Sequence, residues 1–571
     1  MNWILAPGPR IAGRLRVGLR ELGCLAAIVL GAAALRLADL PARGGWDSDQ
    51  ALDMMALRTA VATGQLPTLG PQASWVGGIF HHGALFYDLF LPAYWLGNGD
   101  PTAVVLETAL AGLIVVPIVW WMARSIGGVA AGLSAALLAA VSASLIGYST
   151  FIWNPTPVEP AAALAFLGAW QAWRTSRPWW WLVAAAGSAV AMQSHVTAAV
   201  IALPMAAAFL LTLRRGPAAE RRRIVAWGLA GVALVVVTYL PLIAYELSHG
   251  FVETRGILSY FTGPSETPAH DPLTRVIFAA IRILAWPLTR WPLVDLLPAF
   301  LPALTVATAV GLGLVWRVLE TGRHARAVAA GAAGAATRSE AGDLAGTEGG
   351  SAAGGSAAGG SAAGVTSVLE AEGTRFVGGG LLLLILALGL GVQSVSEVQS
   401  LPTEQYHIVA DPLVLVAAGL VIGGIWRAVP FRLPSWSSRF LATVGLAALV
   451  AWNVGHWPPL TSPDGGWPAA QSAATRLERD AAGTSLAIVP LFEPKGTSAY
   501  AYPIERDGMT LVEPDQATTV VLLCDLFWLE GCGGTQEDVW VGANAAGEGL
   551  HMVDQFPAAP DRLLTVYRRG P

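Results

Sequence analysis

GGVAAGLSAALLAAVSASLIGYST, residues 127–150, carries no acidic or basic side chain. A bilayer core needs about 20 apolar residues per crossing helix, because lipid offers the backbone no hydrogen-bond partner. The same property recurs at 224–245, 296–316 and 376–396. The run 179–213 is also uncharged but too long for one crossing, so it divides near His195 into two short helices. Weaker spans are expected at 22–40, 102–123, 157–173, 408–426 and 438–456, which brings the expectation to eleven.

Composition agrees with this reading. Of 571 residues, 54% are hydrophobic and 13% charged, against roughly 25% charged in soluble domains. Mean hydropathy is +0.54. A soluble enzyme, a collagen, a disulfide scaffold and a disordered chain are excluded. A net charge of -5 and a pI near 6.0 argue against a nucleic-acid partner. The fold class expected is mainly α: a polytopic membrane helix bundle of about 11 spans, with a small extracytoplasmic α/β domain at the C-terminus.

Arginines set the expected orientation, since cytoplasmic loops carry the basic excess. Arg10, Arg14, Arg16 and Arg20 precede the first span. Every second span then ends in arginine: Arg124; Arg174 and Arg177; Arg214, Arg215, Arg221, Arg222 and Arg223; Arg317, Arg323 and Arg326; Arg427, Arg432 and Arg439. The chain therefore reads as a multi-pass plasma-membrane protein with its N-terminus cytoplasmic and its C-terminus outside.

The expected organisation follows. Residues 1–21 are cytoplasmic. Residues 22–328 form a transmembrane module whose first outer loop is 41–101. A second outer segment, 246–295, holds an apolar patch at 277–289 broken by Arg282, read as a helix at the interface or re-entering. Residues 329–375 are a low-complexity cytoplasmic linker around GSAAGGSAAGGSAAG, a composition that buries little apolar area to offset ordering entropy. Three further spans occupy 376–456. Residues 457–571 form the outer α/β domain, with strands at 485–490, 518–524 and 562–568 and a helix at 468–480. Cys524 and Cys532 lie there, where an oxidising compartment permits a disulfide.

Chemistry gathers at the outer ends of the spans. GGWDSDQALDMMALR places Trp46, Asp47 and Asp49 directly after the first span, and Asp53 where a helical pattern starts. Two carboxylates at this spacing can bind a divalent cation, or one can act as a base, or either can cap the helix. WVGGIFHHGALFYDLFLPAYWL carries His81 and His82, FIWNPTPVEP carries Asn154, and AMQSHVTA carries Gln193 and His195. Strongly polar groups at membrane depth are functional candidates by default. The arginine count, made without these motifs, puts all four on one side. A transporter would put such groups near the midplane.

Taken in order, ALRL, WDSDQALDMM, FHHGALFYDLFLPAYWL, FIWNP and QSHVTA resemble the polytopic GT-C glycosyltransferases, near family 39 and the protein O-mannosyltransferase and aminoarabinose-transferase group. The resemblance runs from about residue 22 to 245, with an echo at EQYHIVADPLV, 404–414, that brings in Tyr406. It departs from the family in three places. Ser48 separates the acidic pair, Gly83 and Ala84 follow His82 where the family has prolines, and Gln405 stands where an arginine is common. The resemblance implies a sugar donor linked to polyprenyl phosphate, transfer on the outer face to a hydroxyl of a lipid, glycan or protein acceptor, and inversion at the sugar. It implies Asp47 as general base, with Asp49 the second candidate or a cation ligand. Trp46, His81, His82, Asn154, His195 and Tyr406 are then candidates to hold sugar or phosphate. For the phosphate, bidentate guanidinium contact leaves Arg58, Arg255, Arg275 and Arg290, of which Arg255 and Arg275 are preferred. The residues single out no cofactor, and a divalent cation on Asp47 and Asp49 is possible. The competing reading is a transporter or flippase of lipid-linked saccharides.

Overall fold

A computed structural model describes residues 17–75, 78–262, 271–290, 297–344, 354–392, 404–427, 435–492, 496–526 and 529–570. The described chain is a multi-pass helix bundle carrying one small mixed sheet near its C-terminus. Among the described residues seven helices are long and apolar enough to cross a membrane. The count is eight if Ala218–Thr238 and Leu240–Ser248, bent by 53°, form one span. Helices Leu19–Leu37, Val158–Thr175 and Trp180–Ser194 occupy three of the other expected spans.

Residues 127–141 of the uncharged stretch lie in a helix of 41 residues, Pro101–Val141, and a short helix, Ala143–Tyr148, follows. At 1.5 Å per residue the long helix would reach about 60 Å, twice a bilayer core. It does not run straight. Gly128 has φ +80 and ψ -174, a backbone state open to glycine. There the chain turns back: a Cβ on Gly112 would stand 2.4 Å from that of Ser149, and the Thr108 hydroxyl donates to the Ser149 carbonyl. Spans 102–123 and 127–150 are thus the two arms of one helical hairpin.

One end of the bundle is knit by ion pairs among span ends. Arg124, at the hairpin turn, meets Glu21 at 2.6 Å. Arg215 meets Glu372 at 2.7 Å, while Arg317 and Arg427 both reach Glu370. The arginine-rich span ends therefore share one side, as the loop pattern demanded. Helical backbone runs through Leu297–Leu344 and Gly354–Gly391, into the Gly-Ala-Ser stretch from both directions. The crossing-length part of the second helix, Thr366–Gly391, begins before position 376.

The segment around Arg282 forms the helix Pro272–Thr289, itself long and apolar enough to cross. Its contacts place it across the far end of the bundle. Near its start Arg275 donates to the Leu390 carbonyl, and near its finish Leu288 and Thr289 accept from Asn453 and Trp452. Leu390 and Asn453 end two different spans. Arg282 is 5% exposed, so the helix is roofed by protein rather than resting its polar face on water.

Beyond the last span, four strands β3 (Leu486–Pro490), β4 (Thr519–Asp525), β5 (Leu550–Ala559) and β6 (Arg562–Arg569) order as β3-β4-β6-β5; β1 (Gln72–Trp75) and β2 (Gly78–His81) pair antiparallel in the first loop. Only β3 and β4 are parallel. Helix Gly466–Asp480 covers the sheet with Trp467, Ala470, Ala474 and Leu477. Cys524 and Cys532 are disulfide-bonded, Cα to Cα 5.7 Å. This domain shares one apolar core with the first loop. Trp46, Met54, Leu57 and Phe86 pack with Trp467, Tyr500, Tyr502 and Val521.

Candidate functional site

The helix Ser48–Thr63 starts where the sequence supplies a cap. Asp47 accepts from the Ser48 amide at 2.7 Å, and the Asp47 amide donates to Gln50 Oε1 at 2.9 Å, a reciprocal capping box. Asp47 has a second commitment. Its Oδ1 lies 3.0 Å from Arg562 of β6, a guanidinium 7% exposed that also donates to the Trp46 carbonyl. Burial lowers the Arg562 pKa, but Asp47, Tyr500, Asp561 and Asp464 outweigh it and hold the side chain charged. Asp49 is exposed on the first turn. One turn on, Asp53 is 5% exposed and accepts from the Tyr87 hydroxyl at 2.9 Å. Burial pushes Asp53 up to about 8, against the Tyr87 bond and with help from Asp49.

Trp46 belongs to the seam between loop and C-terminal domain. Its indole nitrogen donates to the Ala499 carbonyl at 2.7 Å, its amide donates to Asp464, and its ring lies 4.7 Å from Trp467. Arg58, one turn past Asp53, pairs with Glu505 at 2.6 Å. These residues hold the acidic helix start against the outer domain.

The histidines form a second cluster. His82 and His195 stack at 5.4 Å, and Tyr406 stands 5.5 Å beyond His195. His195 breaks the backbone: helix Trp180–Ser194 ends at it, it is extended, and a short 3-10 turn follows. Its Nδ1 meets Thr197 Oγ1 at 2.8 Å. Burial, then His81, draws the His82 pKa down to about 4, so that ring is neutral near pH 7. His81 faces away, with its Nδ1 and its amide on the Glu253 carboxylate at 3.0 and 2.6 Å.

Two ties join the clusters. Gln50 Nε2 donates to the Ile152 carbonyl at 2.9 Å, fixing the acidic helix to the FIWNP loop. In that loop Asn154 donates to the Ser194 carbonyl beside His195. The Gly83 amide donates to the Gln193 carbonyl, so the His82 turn rests on the same helix end. Four motifs scattered over 46–195 thus adjoin. The Arg255 and Arg275 guanidiniums serve the Gly250 and Leu390 carbonyls, and the Arg255 helix, Val252–Thr262, packs on β2 beside His81. A methyl on Gly147 would stand 3.8 Å from the Arg290 guanidinium, next to Tyr148, which stacks on Trp153. No described set of three or more His, Cys, Asp or Glu is placed to hold a metal ion.

Several participants have no motif. Arg562 and Glu253 sit in segments without any local signal. Arg36, at the end of the first span, is fully buried and donates to the Ala139 and Ala140 carbonyls. Glu159 and Asp411, both within spans, are likewise buried. Ionisable residues inside apolar runs were the available signal.

Residues 84–243 match a family model, Dolichyl-phosphate-mannose-protein mannosyltransferase. No curated protein matches in sequence. Among solved structures, ArnT from Cupriavidus metallidurans bound to undecaprenyl phosphate aligns over 95% of this chain and 98% of its own, at TM-score 0.57 and 11% identity. The apo state of the same protein gives TM-score 0.54 over 96% and 98%, again at 11% identity. At that identity the likeness is one of fold, and it extends through the C-terminal domain, beyond what the motifs covered. The chain therefore has the GT-C glycosyltransferase fold from its first span to its outer domain, with a mannosyltransferase-family match at 84–243.

Proposed function

We propose that this protein is a membrane glycosyltransferase that moves a sugar from a polyprenyl phosphate to an acceptor hydroxyl on the outer face of the membrane. The observation that carries this reading is the convergence of the acidic helix start, the FIWNP loop and the His82–His195–Tyr406 column at the end of the bundle opposite the Arg124, Arg215 and Arg317 ion pairs. A related fold binding undecaprenyl phosphate supports the donor class.

The reaction needs little acid help, because the phosphate leaves as a stabilised anion. It needs one base on the acceptor hydroxyl and positive charge near the phosphate. Asp49, exposed on the first turn, takes the base role, and Asp47, which caps the helix and pairs with Arg562, fixes the helix that carries it. Arg290, beside the Tyr148–Trp153 wall, is the phosphate contact. The neutral histidine column packs against sugar, and direct displacement inverts the anomeric carbon. The test is incubation of the purified full-length protein with undecaprenyl phosphate–linked sugar and membrane extract. Release of undecaprenyl phosphate that depends on the extract supports the reading. A donor left intact with every sugar tried removes it.

A further inference from the structure

The bundle carries a second feature, at the arginine-rich end and remote from the transfer site. A groove of about 450 Å³ opens between the helices that carry Phe166–Trp173, Pro204–Arg215 and Arg375–Leu383, with Leu413 on its floor. Its walls are apolar except at one lip, where Arg215, Glu372 and Arg375 gather. From Arg215 to Pro204, or Arg375 to Leu383, the trough runs about 12–16 Å at 1.5 Å per residue. One leaflet of a core about 30 Å thick is of that depth.

The charges at the lip are unequal. Arg215 is neutralised by Glu372 at 2.7 Å and lies 4.2 Å over the Trp173 ring. Trp173 also donates to Glu372. Glu370, on the same helix, is held by Arg317 and Arg427. Glu372 and Glu370, on the helix that carries Arg375, are therefore committed elsewhere. Arg375 is exposed and makes no ion pair or hydrogen bond among the described residues. The result is one uncompensated guanidinium at the mouth of an apolar trough of leaflet depth.

We propose that this groove is a binding site for an anionic glycerophospholipid of the leaflet at the arginine-rich end, with its phosphate on Arg375 and one acyl chain along Leu211, Phe376 and Leu383. The charge decides the headgroup: Arg215 and Glu372 cancel, so one positive charge remains for one phosphate. Basic pockets between membrane helices take anionic headgroups by the same physics.

Two variants separate head from tail. Arg375→Gln removes the charge and leaves the trough. Gly379→Leu fills the trough without disturbing the bundle, because a Cβ there meets nothing within 4 Å, and it replaces a helix-weakening glycine. The full-length protein is stripped in mild detergent and titrated with phosphatidylglycerol or phosphatidylcholine of equal chain length. Bound lipid is counted by native mass spectrometry. Wild type should retain one phosphatidylglycerol with about fivefold preference, the worth of one basic group near a lipid phosphate. Arg375→Gln should bind both lipids equally, Arg375→Lys should keep the preference, and Gly379→Leu should lose the tightly held lipid of either kind. Equal retention of the two lipids by wild type overturns the proposal, as does a preference that both variants leave intact. One-for-one displacement by undecaprenyl phosphate also overturns it, by giving the groove to the donor tail. None of these outcomes depends on transfer activity.

Discussion

The two halves of the candidate site solve opposite problems. The acidic start at 46–58 presents the exposed Asp49 and the Asp47–Arg562 pair beside a buried Asp53, and it is held by the C-terminal domain through Arg562, Glu505 and the Trp46–Trp467 contact. The His82–His195–Tyr406 column is dry and uncharged, and it is held by the bundle through Gln193 and Thr197. A base for a hydroxyl needs the first environment. A surface for a sugar ring at the lipid boundary needs the second. The comparison teaches that the outer domain shapes one half and not the other, which gives a way to break them apart.

Trp46→Ala should do so most severely. The ring is 4% exposed and central to the seam, and loss of a buried tryptophan costs about 3–5 kcal/mol. Limited proteolysis should release the C-terminal domain while the bundle stays folded; simultaneous loss of both would show that the seam is not separable. Arg562→Gln should follow at about 3 kcal/mol, near the low end for breaking a buried pair because the Asp47 side chain is 26% exposed. Thermal unfolding of the outer domain measures it.

Protonation sharpens the contrast, because the halves respond with opposite sign. His82 titrates at about 4 when folded, below the usual 6.5. Between those values the unfolded chain binds more protons, so His82 costs stability as pH falls from 6.5 towards 4. Asp53 titrates at about 8 when folded, above the usual 3.8. The folded chain keeps that proton longer, so Asp53 costs stability as pH rises from 4 towards 8. From pH 4 to 6.5 the two slopes, each about 1 kcal/mol per unit, offset each other in wild type. Relative to wild type, Asp53→Asn should lose stability on acidification and His82→Gln on alkalinisation. Parallel pH profiles for all three proteins would remove the assigned protonation states.

Smaller still is Gly128→Ala at the hairpin turn. A Cβ there meets no atom within 4 Å, so the cost is only that of φ +80 and ψ -174 in a residue with a side chain, about 1–3 kcal/mol. The melting temperature of the bundle reads it, and no change would mean the turn relaxes freely.

The sequence was legible wherever one local rule dominates. Apolar runs gave the helices of the bundle, and arginines gave the shared side of their ends. Of those helices seven, or eight with the bent pair, are long and apolar enough to cross among the described residues, against eleven expected. His195 marked a real break between helices, and β-branched runs gave β3, β4 and β6 within a residue or two. Strand β5 escaped because LHMVDQFPAA carries Asp554, Gln555 and Pro557 and pairs with register shifts. Contacts between distant segments left no local trace. Nothing in WDSDQ announces that Asp47 meets Arg562, or that Trp46 serves a domain seam. Arg36, at the end of an apolar run, gives no local sign that it turns inward to two carbonyls of the hairpin.

The central claim, that a carboxylate on the first turn of Ser48–Thr63 is the base, is tested most directly by turnover of Asp49→Asn beside Asp47→Asn, per folded protein, with undecaprenyl phosphate–linked sugar. The account predicts that Asp49→Asn lowers kcat by about 10²–10⁴ with an unchanged melting temperature, while Asp47→Asn mainly lowers stability through its lost pair with Arg562. Near-normal turnover in Asp49→Asn would contradict it.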